Sequence, residues 1–213
     1  MFYVGTTPIK SDLKNLSSCE NKLKDKNILV TGGAGFIGHN LVWRLLDEGH
    51  EVQSLDNYST GTVKNEVDGC KYWHGDISTI DNIDKDYDLI FHLAAQSRVQ
   101  PSFENPTETF KVNVEGTENI MNIALSMNIK KISYISSIAS LGRNSTENMV
   151  DENCHFRVSK KESNYSLSKY YSEQEVWRAS QEGLDVVIIN PSVILGPGDW
   201  AKGSCQIFQR INK

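Results

Sequence analysis

The sequence predicts an α/β protein: a doubly wound parallel β-sheet with helices on both faces. Three observations predict it. Short apolar runs alternate with helix-spaced segments over most of the 213 residues. The apolar runs are the kind that a parallel sheet buries on both sides. The first of them leads directly into three glycines spaced G-x-x-G-x-x-G, Gly32, Gly35 and Gly38, and then into an amphipathic pattern.

Taken in order, "NILVT" (27–31) is a short apolar run ending at glycine, a buried strand. "FIGHNLVWRLLDEG" (36–49) places Phe36, Ile37, Leu41, Leu45 and Leu46 at helical spacing and stops at Gly49. "EVQSLD" (51–56) and "KYWHGD" (71–76) are the second and third strands, and "DLIFHLAA" (88–95) is the fourth. "FENPTETFKVNVEGTENIMNIALSMN" (103–128) predicts one long helical region, with Val112, Val114, Ile120, Ile123, Ala124 and Met127 on its apolar face. "KKISYISS" (130–137) is the fifth strand. Residues 164–182 form a further helix stopped by Gly183, and "DVVIIN" (185–190) is a sixth strand closed by Pro191. Trp43 and Trp177 fit helix core faces. His92, at an apolar strand end, reads as a packed core histidine rather than a base.

Bulk properties narrow the function. A hydrophobic content of 38%, 23% charged residues and 9% aromatics belong to an ordinary globular protein. The net charge of −5 gives no support for a nucleic-acid partner, and no apolar run approaches a membrane span. The lysine-rich residues 1–26 predict a loosely attached extension, with "KDKN" a solvated surface and no secretory leader. Cys19, Cys70, Cys154 and Cys205 are scattered without a C-x-x-C, which predicts reduced thiols, no metal site and a cytoplasmic setting. His39, His74 and His155 form no ligand spacing with them.

The glycines explain themselves chemically. Gly32 supplies the backbone angles of a strand-to-helix turn, Gly35 lets a ligand approach the backbone, and Gly38 lets the helix pack closely on the sheet. The helix N-terminus then offers unpaired N–H groups to a pyrophosphate. Asp56 closes the second strand, 18 residues beyond Gly38 (38 to 56). A carboxylate there accepts hydrogen bonds from ribose hydroxyls and repels a 2′-phosphate, so it predicts NAD over NADP. The alternative is a tight turn with no ligand.

"YSLSK" places Tyr165 and Lys169 at i, i+4, on one helix face. A lysine ammonium about 5 Å from the phenol, at an effective dielectric near 20, is worth roughly 3 kcal/mol, or about two pKa units. Tyr165 then becomes a candidate base. Ser136 and Ser137 end the fifth strand, where strand ends of an open parallel sheet face the ligand crevice. Ser137 is the first candidate to hold the reacting oxygen and Ser136 the second; serines at strand ends are also ordinary turn formers.

These motifs, in order, resemble the NAD-dependent epimerase/dehydratase family, the extended branch of the short-chain dehydrogenase/reductases. The matching stretches are "TGGAGFIG", "DNYSTG", "GDI", "HLAAQSRVQPSFENP", "NVEGT", "YISSIASLG", "YSLSK" and "NPSVILGPGD". The resemblance covers about residues 27–205, is to UDP-glucose 4-epimerase-like nucleotide-sugar epimerases within the family, and implies a Rossmann-like NAD-binding domain over 27–199. It implies that Gly32, Gly35, Phe36, Ile37, Gly38, Asp56 and Asn57 hold the cofactor, with Asp76 and Ile77 at the adenine. Ala94, Ala95 and Gln96 would line the cofactor after strand four, with Ser136 beside it. Pro191 and Val193 would meet its nicotinamide end, and Lys169 its ribose. Asn113 would steady the catalytic helix, and Ser97 and Arg98 would touch substrate. For Arg98 a solvated loop charge is the equal alternative.

The implied reaction is transient oxidation of a sugar hydroxyl, with Tyr165 as base, Ser137 at the oxygen and hydride passing to NAD and back to the opposite face. C4 of a UDP-hexose is the expected position. Ile138 and Ala139 after Ser137 cannot serve as the extra acid and base of a dehydratase. Leu141-Gly142 and Asn190-Pro191 replace the V-Y-G and R-P of many sugar epimerases. They lean towards an NAD(P)-dependent reductase or dehydrogenase of a small carbonyl or hydroxy compound, as in dihydroflavonol reductases. A non-catalytic dinucleotide-binding fragment is the third reading. Family members continue well past "GPG", so residues 200–213 are expected to begin a truncated substrate domain. The resemblance also implies a homodimer through the helices holding Asn113 and Tyr165.

Overall fold

The computed structural model describes residues 25–83, 86–142 and 150–196. β1 (Asn27–Thr31) lies inside a six-stranded sheet with β2 (Glu51–Asp56), β3 (Lys71–His74), β4 (Leu89–His92), β5 (Lys131–Ile135) and β6 (Asp185–Ile189). The order is β3-β2-β1-β4-β5-β6, and every pairing is parallel. The chain moves outward from β1 to β3, then returns to build the other half from β4. The direction therefore reverses between β1 and β4, which opens a crevice at the carboxyl ends of those two strands.

Strand alternation divides the core between the two faces. Ile28 and Val30 pack with Val42, Leu45 and Val52 on one side, under α1 (Phe36–Asp47). Leu29, between them, joins Ile90, Ile120, Ala124, Ile132 and Val176 on the other. That face is covered by α4 (Gly116–Ser126) and α5 (Asn164–Gln181). Both flanking helices stop where the sequence puts glycine in the left-handed region: Gly49 at φ +87° after α1 and Gly183 at φ +108° after α5. Ser163 caps α5, its hydroxyl accepting the Ser166 N–H at 3.0 Å.

The expected helical region over 103–128 is interrupted once, between α2 (Val99–Glu104) and α3 (Pro106–Phe110); from Pro106 to Ser126, α3, a π-helical turn (Lys111–Glu115) and α4 follow without a gap. Pro106 lacks an N–H to continue α2 and suits the first position of α3, where the Asn105 side chain accepts the Glu108 N–H at 3.1 Å. Trp43 and Trp177 are 56% and 51% exposed, contrary to the core-face reading, because Val42 with Leu45 and Val176 with Ala179 take the buried stripe one residue away. Leu41 and Leu46 only flank that core, and Ile37 is exposed. Strands three to six each end one to three residues before their predicted limits.

The expected extension, 1–26, lies outside the described residues except at its end. There Lys26 is not merely solvated: its Nζ meets Asp88 at 3.2 Å. Residues 200–213 lie outside them too, as do Cys19 and Cys205. Cys70 and Cys154 are free thiols. Among the described residues no helix is long and apolar enough to cross a membrane, and no three His, Cys, Asp or Glu side chains converge as a metal site would need.

Candidate functional site

The glycine loop leaves β1 at Gly32, whose φ of +77° an L side chain resists. A methyl group there would also sit 2.8 Å from the Ala94 backbone nitrogen. At Gly38 a methyl would run into the Gly32 carbonyl, so α1 rests directly on the loop. At Gly35 the only neighbour is the Gly32 oxygen at 3.2 Å, and the space beyond is open cleft. The first helical bond runs from the His39 N–H to the Gly35 carbonyl at 2.9 Å. The preceding N–H groups of the first turn have no intrahelical acceptor and remain for a ligand. The cleft is lined by Gly32, Gly35, Phe36, Ile37 and Gly38 from this loop, and by Leu55, Asp56 and Asn57 from the end of β2. Ser59, Thr60, Gly75, Ile77, Leu93, Ala94, Ala95, Ser97, Val112 and Ile135 complete it.

Asp56 is 7% exposed. One carboxylate oxygen accepts the Ala34 N–H at 2.9 Å and the other the Tyr58 N–H at 2.8 Å. Each oxygen keeps a lone pair for a ribose hydroxyl. Tyr58 turns the chain at φ +56°, its hydroxyl donating to Glu66 at 2.6 Å and its ring stacked on His74. The Asn57 amide donates to Asp76 at 2.9 Å. Burial alone would raise the Asp76 carboxyl, but donors from Ser78 and Asn57, with Lys111 nearby, hold it below its usual range. Asp76 thus braces Asn57 and is not itself part of the cleft wall, whereas Ile77 is. Gly116 lets the first turn of α4 press onto Ile77; a methyl there would lie 2.7 Å from it.

After β4, Ala94, Ala95 and Ser97 line the cleft. Gln96 serves through its backbone. Its N–H donates to Asn113 Oδ1 at 2.7 Å, and its carbonyl accepts from Asn113 Nδ2 at 3.1 Å. Arg98 is exposed just before α2 and stands outside the cleft wall, as the solvated-charge alternative has it.

Tyr165 lies in the first turn of α5, nearly buried, its N–H donating to Ser102 Oγ at 3.1 Å. One turn on, Lys169 is 3% exposed. Its ammonium donates to the Ile135 carbonyl at 3.0 Å and the Tyr134 hydroxyl at 3.3 Å. Burial pushes the Lys169 pKa down, opposed by Tyr165 and Glu173. Ile135 is part of the cleft floor and Lys169 lies behind it; like Ser136, the catalytic candidates Ser137, Tyr165 and Lys169 are not themselves among the residues that line the cleft. Ser166 latches α5 to the turn after β5 by donating to the Ala139 carbonyl. Ser137 opens that turn, its oxygen accepting the Ala139 N–H at 3.1 Å, which leaves its own hydrogen to donate. Ser136 departs from the expected cofactor contact: it is buried with its hydroxyl 3.3 Å from Ser140 Oγ, off the cleft wall. Pro191 and Val193 also lie off it. Val193 is 67% exposed, and Gly196 approaches the Phe36 ring at the cleft rim.

Two buried polar residues lie behind the site: His92, packed in the core as expected, and Glu173, which the sequence reading left without a role. His92 is 0% exposed, and burial, with Lys169 nearby, lowers its pKa to about 3. It bonds Thr31 and Thr117. Glu173, one turn beyond Lys169, accepts from Ser140 and from the Asn190 amide, both at 2.6 Å. Polar types inside otherwise apolar patterns were the available signal for both.

The strand order, the glycine cradle and the Asp56 carboxylate define a dinucleotide-binding α/β domain of Rossmann type, with a Tyr-x-x-x-Lys helix against the cleft floor. The pattern of the NAD-dependent epimerase/dehydratase family matches residues 28–213, and the chain belongs to that family. It is 34% identical over 172 residues to a Synechocystis protein provisionally named a dihydroflavonol 4-reductase, covering 80% of this chain and 50% of that one. It is also 34% identical over 186 residues to a Methanocaldococcus jannaschii protein provisionally named a UDP-glucose 4-epimerase, covering 85% and 60%. The structure of Thermus thermophilus UDP-glucose 4-epimerase in complex with NAD superposes with a TM-score of 0.74 at 28% identity, covering 86% of this chain and 60% of that one. The chain therefore spans half to three-fifths of the length of these relatives. The glycine cradle, the free first-turn N–H groups and the paired Asp56 fit NAD, the cofactor of the family.

Proposed function

We propose that the protein epimerises a nucleotide sugar, with C4 of a UDP-hexose as the reacting centre and NAD as the cofactor. The observation that carries the reading is Lys169, a buried ammonium bonded to the cleft floor at Ile135 and one turn from Tyr165. NAD, when bound, supplies a hydride acceptor that can return the hydride. The Tyr165 oxygen takes the proton of the sugar hydroxyl and later gives it back. Burial works against the Lys169 charge, and Tyr165 and Glu173 oppose its loss. The Ser137 hydroxyl, its oxygen already holding Ala139, donates to the sugar oxygen as it becomes a carbonyl. Ser97, on the cleft wall, is the better placed of the two proposed substrate contacts; Arg98 is the weaker.

A second reading, reduction of a small carbonyl compound, is favoured by Asn190, which with Pro191 stands where many sugar epimerases carry R-P. Its amide bonds Glu173 at 2.6 Å, Ser140 Oγ at 3.0 Å and the Ser137 carbonyl at 3.2 Å, beside the serine turn. A second copy of the chain is the proposed protein partner, meeting the helices that hold Asn113 and Tyr165, where Tyr171 of α5 is exposed. The setting is proposed as cytoplasmic.

The first experiment is a calorimetric titration with NAD and, separately, NADP, followed by a UDP-sugar panel set against NAD(P)H oxidation with simple ketones. Saturable NAD binding with interconversion of UDP-hexoses supports the epimerase. Ketone-dependent NAD(P)H oxidation alone replaces it with the reductase. No binding of either dinucleotide by the folded chain removes both.

A further inference from the structure

The geometry points to His92 as a positioning residue that couples the dinucleotide loop to the helix carrying Tyr165, through a one-way chain of hydrogen bonds. The inference rests on the NAD reading only where binding affinity is its readout.

The direction of each bond follows by elimination. Thr117 has one hydroxyl hydrogen, and the Asn113 carbonyl accepts it at 2.6 Å. Towards His92 Nε2, at 3.1 Å, the Thr117 oxygen must therefore accept, so Nε2 carries the proton. In a neutral imidazole Nδ1 is then the acceptor, and the Thr31 hydroxyl donates to it at 2.7 Å. The Thr31 oxygen is left to accept the Leu93 and Ala94 N–H groups, both at 3.2 Å. The other tautomer fails at both ends. Nδ1–H would be a third donor against the Thr31 oxygen, and Thr117 would have to turn its hydrogen away from Asn113.

Each end of this chain sits on a working part. Ala94 lines the cleft and touches Gly32, whose close approach allows no side chain. Asn113, in the π turn, brackets the Gln96 backbone and donates to Ser168 Oγ at 2.9 Å. The Ser168 hydroxyl donates on to the Tyr165 carbonyl at 2.8 Å. The Ser172 hydroxyl of α5 shares its one hydrogen between the Asn113 carbonyl, beside Thr117, and the Ser168 carbonyl, both at 2.6 Å. The His92 ring also stacks on Tyr134, with centroids 5.5 Å apart, and the Tyr134 hydroxyl accepts from Lys169. A movement of the loop against a bound dinucleotide is thus passed to the turn that holds Tyr165. The low pKa of His92 agrees: a proton on Nδ1 would reverse the Thr31 bond.

The test is nuclear magnetic resonance on the histidine-labelled chain, with Thr117→Val as the perturbation and His92→Phe as the background control. The wild-type protein is expected to show His92 as the Nε2–H tautomer, unchanged between about pH 8 and pH 5. Thr117 is not part of the cleft wall, yet Thr117→Val is expected to shift the Leu93 and Ala94 amide signals and to weaken NAD binding about fivefold. In the His92→Phe background the same substitution should move neither. An Nδ1–H tautomer overturns the inference. So does a Thr117→Val protein with unmoved Leu93 and Ala94 amides, or one whose shifts persist without the imidazole. If His92→Phe does not fold, the tautomer and the Thr117→Val shifts still decide. A wild-type chain that does not bind NAD overturns the cofactor reading, while those same signals judge the coupling.

Discussion

Replacing Gly38 with alanine sets two effects against each other. Gly38 lies inside α1, where alanine is favoured over glycine by about 1 kcal/mol. The added methyl, however, would run into the Gly32 carbonyl and lie 2.6 Å from the Gly33 Cα and 2.8 Å from the Gly32 carbonyl carbon. These are backbone atoms of a loop pinned by the Gly32 N–H bond to Leu55 at 2.8 Å, so no side chain can swing aside. Overpacking costs about 1–3 kcal/mol where side chains can adjust, and this site belongs at the upper end. The net expectation is a loss of about 2 kcal/mol, or roughly 4–8 °C in melting temperature for a domain of this size. Gly35→Ala is the matched control. Its methyl meets only the Gly32 oxygen at 3.2 Å, and its φ of −78° suits alanine. It should melt within about 2 °C of wild type, yet bind NAD more weakly because the methyl projects into the cleft. Thermal melts followed by circular dichroism, with calorimetric NAD titrations, read both. A Gly38→Ala protein that melts at or above the wild-type temperature refutes the close-packing argument.

Asp56→Asn turns an NH2 towards either the Ala34 or the Tyr58 N–H, which leaves a buried donor unpaired at a cost of about 1–3 kcal/mol. NAD affinity is expected to fall about tenfold, with the preference over NADP narrowed, in paired calorimetric titrations. Tyr165→Phe should lower UDP-hexose turnover by at least about 100-fold and leave NAD affinity unchanged, as measured by coupled assay and titration. His92 gives a pH signature. Its pKa falls from 6.5 in the unfolded chain to about 3 in the fold, so below 6.5 the unfolded state binds the extra proton. Its stabilisation is complete above that value and is lost on acidification by up to about 1.4 kcal/mol per pH unit. Urea denaturation at pH 7 and pH 5 should show a loss about 2 kcal/mol larger for wild type than for His92→Phe.

Local signals made much of this legible. The strand, glycine turn and helix of residues 27–47 depend on near neighbours, and Asp56 follows at the end of the next strand. The break at Asn105-Pro106 is written there as a missing donor and a capping side chain, yet the helical reading of 103–128 ran through it. The π turn was not legible. Its Asn113 carbonyl accepts the Thr117 hydroxyl and lies 2.6 Å from that of Ser172, which belongs to another helix and is equally near its own Ser168 carbonyl. The tryptophans misled because helical spacing cannot separate Trp43 from Val42 when neighbouring positions are also apolar. Ser136 and Ser137 could not be told apart from spacing alone. Only the turn after β5 sends one to Ser140 and leaves the other with a free hydrogen. Asp76, expected at the adenine, turned out to spend its oxygens on Asn57 and Ser78.

The strand order also sets a timetable for folding. β1 pairs with β4 through residues as far apart as Thr31 and His92, a separation of 61 positions, and its pairing with β2 is much more local. Loop closure makes the distant pairing entropically later, and parallel strands need a whole crossover between them. On a ribosome, the glycine loop emerges early but has nothing beneath it. Ala94, whose backbone supports Gly32, and His92, whose ring receives Thr31, are both made some sixty residues afterwards. The glycine loop therefore gains its support late, when β4 docks, and the cleft is complete only once β5 brings Ile135 to its floor.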